Sequence, residues 1–128
     1  MKNTLQIRSE HWPDVTATPH FAVVLNYEGL TYECNDIYFD NLSDIVPELQ
    51  EQERTRKGQV VLDGGFRFQM IVHARSSGGI DLNFRTESDA TFPGKCVIEG
   101  CFSVDGEHAA NTIGALTRLF DDGDDFVL

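Results

Sequence analysis

The stretch Phe66-Arg67-Phe68-Gln69-Met70-Ile71-Val72-His73-Ala74-Arg75-Ser76-Ser77-Gly78-Gly79-Ile80-Asp81-Leu82-Asn83-Phe84-Arg85 decides the fold. Its first half alternates Phe66, Phe68, Met70, Val72 and Ala74 with Arg67, Gln69, Ile71 and His73. Its last six residues alternate Ile80, Leu82 and Phe84 with Asp81, Asn83 and Arg85. A period of two marks half-buried strands with one apolar face, and Ser76–Gly79 makes the loop of a hairpin. Residues directly opposite in an antiparallel pair share a face. The apolar positions of both strands are even-numbered, so paired numbers must sum to an even value. That permits a three-residue loop, pairing Ser76 with Ile80 and Arg75 with Asp81. It also permits a five-residue loop, pairing Ala74 with Ile80 and His73 with Asp81. The three-residue form with a left-handed glycine is the commoner. Phe66, Phe68, Met70, Val72, Leu82 and Phe84 are expected to face the helices.

Working toward the N-terminus, Gln59–Asp63 reads as a strand closed by a Gly64-Gly65 turn. Before it the period changes: Leu42, Ile45, Val46 and Leu49 form the stripe of an amphipathic helix. Asn41 or Ser43 is a candidate cap. Pro47 belongs near a first turn, which favours Ser43 or Asp44. Acids come early and Arg54, Arg56 and Lys57 late, as the helix dipole prefers, with Gly58 just past the end. Further upstream, Phe21–Glu28 and Leu30–Asn35 form a hairpin about Gly29, with Ile37–Phe39 as an extension. Trp12-Pro13 and Thr18-Pro19 punctuate a loop, and Leu5–Arg8 is a short strand. Tyr27, Tyr32, Tyr38 and Phe39 gather around this hairpin, where aromatics ordinarily serve the core or cross-strand pairs.

Toward the C-terminus, residues 88–94 form a loop and 95–104 a strand with Cys96, Ile98, Phe102 and Val104 on one face. Asp105 caps a second helix carrying Ala109, Ile113, Leu116 and Phe120 on one side. Gly114 within it is explained by a close approach to the sheet. The expected fold is therefore α+β: a mainly antiparallel sheet of six or seven strands with two helices on one face, in the order β-β-β-α-β-β-β-β-α.

The chain of 128 residues fits one domain over 1–128. It carries 10 Lys plus Arg against 21 Asp plus Glu, a formal net charge of −11. Phosphate binding needs a basic footprint, so nucleic acid is excluded as a direct ligand, and anionic membranes on the same ground. No apolar run approaches the roughly 20 residues of a membrane span. The first ten residues lack an apolar signal core, so a cytoplasmic location is expected. Three cysteines, Cys34, Cys96 and Cys101, suit a reducing compartment as free thiols. Cys96 and Cys101, five apart in one strand, point to opposite faces.

No nucleophile elbow, glycine-rich phosphate loop, paired-histidine helix motif or Cys-x-x-Cys is present in the sequence. No catalytic residue, cofactor or metal ligand is assigned, and the reading leans away from an enzyme. His11, His20, His73 and His108 share no helical ligand spacing. His73 lies beside Arg67, Arg75, Asp81 and Arg85. A histidine beside a carboxylate suits a general base, but a solvated sheet face knitted by cross-strand pairs is the expectation. Asp121, Asp122, Asp124 and Asp125 crowd five positions near the end. The chain stops before a 12-residue calcium loop could finish. The ordinary reading is a fraying acidic end, and the functional one is a contact for a cationic partner.

The hairpin-to-helix segment Phe21–Leu49, the meander Phe66–Thr86 and the closing helix Gly106–Phe120 together resemble small bacterial immunity-type domains of polymorphic toxin systems, the WapI-like group. The resemblance is one of layout and covers most of the chain. It implies a cytoplasmic, non-catalytic antidote that plugs a toxin by protein–protein contact. Many such toxins are basic, and strong negative charge steers association with them. The expected function is thus an acidic binding protein whose contact includes Asp121, Asp122, Asp124 and Asp125, with a basic protein as partner. A homo-oligomer is compatible with the sequence. The alternative is a small-ligand-binding or enzymatic α+β domain, which predicts a concave apolar pocket with a few converging polar groups.

Overall fold

The computed structural model describes residues 2–10, 19–87 and 96–128. The loops expected over 12–18 and 88–94 lie outside the described residues. The elements are β1 (Thr4–Glu10), β2 (His20–Tyr27), β3 (Leu30–Ile37), α1 (Leu42–Thr55), β4 (Gln59–Asp63), β5 (Gln69–Ala74), β6 (Ile80–Glu87), β7 (Val97–Val104), α2 (Gly106–Asp122) and β8 (Phe126–Val127). The fold is α+β and antiparallel, as expected. The single sheet is not: the strands form two sheets of four, ordered β3-β2-β1-β8 and β4-β5-β6-β7. Hairpin reasoning pairs neighbours across short turns. It has no purchase where α1 carries the chain out of one sheet and into the next. No described helix is long and apolar enough to cross a membrane.

The eighth strand corrects the reading of the C-terminus as a fraying end. Phe126 pairs with Ile7 and Val127 with Gln6. The Leu128 amide donates to the Leu5 carbonyl at 2.8 Å. Phe126 is only 1% exposed, and burying such a ring is a strong tether.

In the β5–β6 hairpin Ala74 faces Ile80 and His73 faces Asp81. The even sum holds, but the loop has five residues, not three. The Arg75 amide donates to the Gly79 carbonyl at 2.8 Å. Its guanidinium reaches the Val104 carbonyl on β7, also at 2.8 Å. The loop is shaped by a strand that comes later in the chain.

Phe68, Met70, Val72, Leu82 and Phe84 are buried as expected, but Phe66 is 49% exposed. It belongs to the Gly64–Phe68 loop, closed by a bond from the Gly64 amide to the Phe68 carbonyl at 2.9 Å. The helices are not the whole cover of this face. Tyr27 of the other sheet meets Phe84 edge-on, with ring centres 4.9 Å apart, and lies 5.7 Å from Phe102. Phe21, Phe39 and Phe120 pack mutually between helix and sheet.

Helix α1 starts earlier than its proline predicts. Asn41 holds the cap position without a side-chain cap bond, and Pro47 lies inside the helix. The Asn41 side chain is spent on β4: Nδ2 donates to the Val61 carbonyl at 2.6 Å and Oδ1 accepts from the Asp63 amide at 3.2 Å. Arg56, not Gly58, takes the left-handed position that ends the helix. The buried Gln52 donates to the Val72 carbonyl at 2.9 Å, tying α1 to β5. Helix α2 begins as expected at the Asp105 cap, but it runs on to Asp122, past the expected Phe120, and ends on a left-handed Gly123. Gly114 does not meet the sheet; only the Arg118 guanidinium comes within 4 Å of where a Cβ would sit.

Candidate functional site

Asp105 fixes where α2 begins. Its Oδ1 accepts from the His108 amide at 3.1 Å and lies 2.8 Å from the His108 ring nitrogen. These bonds, the His108 side chain first, hold the Asp105 carboxyl below the usual carboxylate range. The helix ends where Gly123 turns left-handed and the Asp124 amide reaches back to the Arg118 carbonyl at 3.3 Å. Asp121 and Asp122 therefore occupy the last turn, while Asp124 and Asp125 form the link into β8. All four are exposed. The last turn holds no basic residue, so these acids stand at the negative end of the helix dipole, where they cost stability.

The two helices pack against each other and run in opposite directions. At one end an Arg56 nitrogen donates to the Gly106 carbonyl at 3.3 Å, joining the end of α1 to the start of α2. At the other the Phe39 ring, just before α1, lies 5.4 Å from Phe120. The start of α1 is thereby brought beside the end of α2. Asp40 and Asp44, both exposed, flank the start of α1 at that same end. Nothing in the sequence signalled this, because the two groups are nearly eighty positions apart.

Three arginines are engaged away from this end of the molecule. Arg54 pairs with Glu51, Arg75 with Asp81 at 3.6 Å, and Arg85 with Glu99 at 3.1 Å and Glu87 at 3.6 Å. The Asp81 carboxylate also accepts from Ser103 at 2.8 Å. It is committed across β6 and β7, and does not orient the facing His73 as a base. The polar sheet face is held by cross-strand pairs, as expected.

Sequence reasoning missed a second cluster. Strand register sets Glu10 opposite His20 and Phe21 opposite Ile37. His20 Nε2 lies 3.1 Å from Glu10 Oε2 and 3.5 Å from Asp36 Oδ1. Only the register unites residues 10, 20 and 36. The three ligand atoms lie within 4.8 Å of one another, a set whose donor types are able to hold a cation. Next to it, two hollows of about 430 and 490 Å³ share Arg67 as a wall. One runs along Thr31–Asn35 to Glu87; the other includes Asp36, Tyr38 and Phe66. The Tyr32 hydroxyl donates to the Arg67 carbonyl at 2.6 Å, and burial pushes its phenol up. Arg67 also lies over the exposed Phe66 ring, 5.8 Å from its centre.

Compared with known proteins, the chain matches no family model, no curated protein and no solved structure.

Proposed function

We propose that this is a non-catalytic, acidic, cytoplasmic binding protein that neutralises a basic partner by direct contact, as an immunity protein neutralises a toxin. Asp121, Asp122, Asp124 and Asp125 belong to that contact. The observation that carries this reading is that these four aspartates stand exposed at the end of α2, beside the start of α1 with its exposed Asp40 and Asp44. Two of them oppose the dipole of their own helix, so local stability does not account for them. The hollows beside Arg67 are lined by mostly polar, accessible residues, which gives less support to an apolar ligand pocket. The test is co-purification with the product of the gene immediately upstream, followed by association kinetics at two salt concentrations. Replacing the four C-terminal aspartates by Asn should leave stability unchanged or slightly raised. It should slow association about tenfold at low salt and flatten the salt dependence. An unchanged on-rate removes these aspartates from the contact; no complex and no protection of growth would overturn the immunity reading.

A further inference from the structure

A sheet edge is a row of unpaired backbone groups, which proteins ordinarily cover or cut short. Three of the four edges here are managed in one of those ways. On β4, the Asp63 carbonyl accepts from the Asp40 amide at 2.8 Å, and Asn41 bonds the Val61 carbonyl and the Asp63 amide. On β7, the Cys101 amide donates to the Tyr27 hydroxyl at 3.2 Å, which donates onward to the Cys101 carbonyl at 3.4 Å. Arg75 bonds the Val104 carbonyl. The β8 edge is two residues long. Among the described residues the outer edge of β3 has such cover only at Asn35, from Arg67, and none at Thr31 or Glu33.

Its register says which groups it offers. Tyr27 faces Leu30 across the two-residue turn Glu28-Gly29, so that pair exchanges hydrogen bonds. Alternation makes Leu25–Tyr32 and Val23–Cys34 the next bonded pairs. The amides and carbonyls of Thr31 and Glu33 therefore point away from β2, toward the hollow walled by Arg67 and Glu87. Beyond them the register shifts, and Asp36 takes a left-handed φ of 60°. The bulge ends the edge after one short segment. There Arg67 donates to the Asn35 carbonyl at 3.5 Å, and exposed Tyr38 and Phe66 flank the continuation.

We infer that the β3 edge is a docking site for an extended, basic segment of a partner protein, which adds as a fifth strand through Thr31 and Glu33. Backbone pairing supplies affinity and flanking side chains supply selectivity in this mode. Charge selects the occupant. Glu33 and Asp36 are exposed on the strand, Glu87 lines the same hollow, and the whole chain is at −11. Edge charge of this kind repels a second copy of this chain and attracts lysine or arginine. The inference rests on the reading that the partner is basic, and adds how and where it is held.

The experiment uses the full chain and two synthetic peptides, one alternating Lys and Val over seven residues and one with Glu in place of Lys. Amide exchange of the chain is followed by NMR. Saturating basic peptide should slow exchange at Thr31 and Glu33 by about tenfold or more, and the acidic peptide should bind about tenfold more weakly. Glu33→Pro removes an outward amide without touching the β2 ladder and should abolish binding. If that variant unfolds, exchange in the unsubstituted chain still decides. Unchanged exchange at both amides, equal binding of the acidic peptide, or protection that grows with the chain's own concentration would each overturn the proposal. Neutralising Asp121, Asp122, Asp124 and Asp125 should leave exchange at Thr31 and Glu33 protected, so the two surfaces fail separately.

Discussion

The two sheets share one plan of four antiparallel strands, yet they are finished differently. The β4–β7 sheet is closed on both edges by side chains that arrive from elsewhere: Asn41 on one, Tyr27 and Arg75 on the other. Among the described residues the other sheet has a two-residue strand at one edge and, at the other, a β3 covered only at Asn35. Yet both contribute to one continuous core. The difference teaches that strand alternation specifies a buried face and is silent about an edge. Closing an edge needs a donor or acceptor from a distant segment, and where none is sent the edge stays available.

The largest effects test whether the two sheets truly share one core. Phe68→Ala in the closed sheet and Phe126→Ala in the open one should each cost about 3–5 kcal/mol, since both rings are fully buried. Both variants should still unfold in one transition by circular dichroism and fluorescence. A loss below about 1 kcal/mol for Phe126→Ala would mean that β8 does not hold the open sheet to the rest.

Next comes the seal on β7. A Cβ at Gly100 would collide with the Tyr27 ring and with Phe84. Gly100→Ala should therefore cost about 1–3 kcal/mol in chemical denaturation. It should also speed amide exchange at Cys101 by displacing the Tyr27 hydroxyl. Unchanged exchange there would show that Tyr27 is not what closes this edge.

A smaller effect concerns α2, which runs from the closed sheet to the open one. The Asp105 carboxyl is held below its ordinary 3.8 by His108. A depressed carboxyl contributes stability that is present above the unfolded value and lost as pH falls through the folded one. Asp105→Ala should lower the Tm at neutral pH. That deficit should stay constant down to about pH 5, then shrink below 3.8 as the unsubstituted chain loses the same bond. A deficit that persists unchanged at pH 2 would rule out the carboxylate as its source. Smallest of all, Phe66→Ala should change stability by no more than about 0.5 kcal/mol. A loss comparable to Phe68→Ala would return Phe66 to the core.

Much of this architecture was legible in the sequence, for identifiable reasons. Met70, Val72, Leu82 and Phe84 announced their face because a strand's side chains alternate by geometry. Asp105 marked the start of α2 because a short acceptor is what a helix N-terminus requires. Phe66 misled because its parity matched the strand while its backbone belonged to a loop. Pro47 misled because it drew the cap to Ser43 or Asp44, whereas Asn41 holds that position and its amide bridges β4 instead of capping. The acidic run was visible, but its companions Asp40 and Asp44 were not. Glu10, His20 and Asp36 carried no sign that they would meet.

The sequence by itself determined the first seven strands and both helices in outline, the buried face of the central hairpin from Phe68 onward, its even register and the sign of the net charge. These follow from local geometry and composition, which act over a few residues. Only the tertiary structure decided that there are two sheets, that the last three residues close one of them, and that the helices lie antiparallel. It alone decided that Tyr27 and Asn41 seal edges while β3, among the described residues, is covered only at Asn35. Each of these is a contact between segments far apart in the chain. Its free energy depends on which surfaces the folded core brings within hydrogen-bonding reach, and no local pattern encodes that distance.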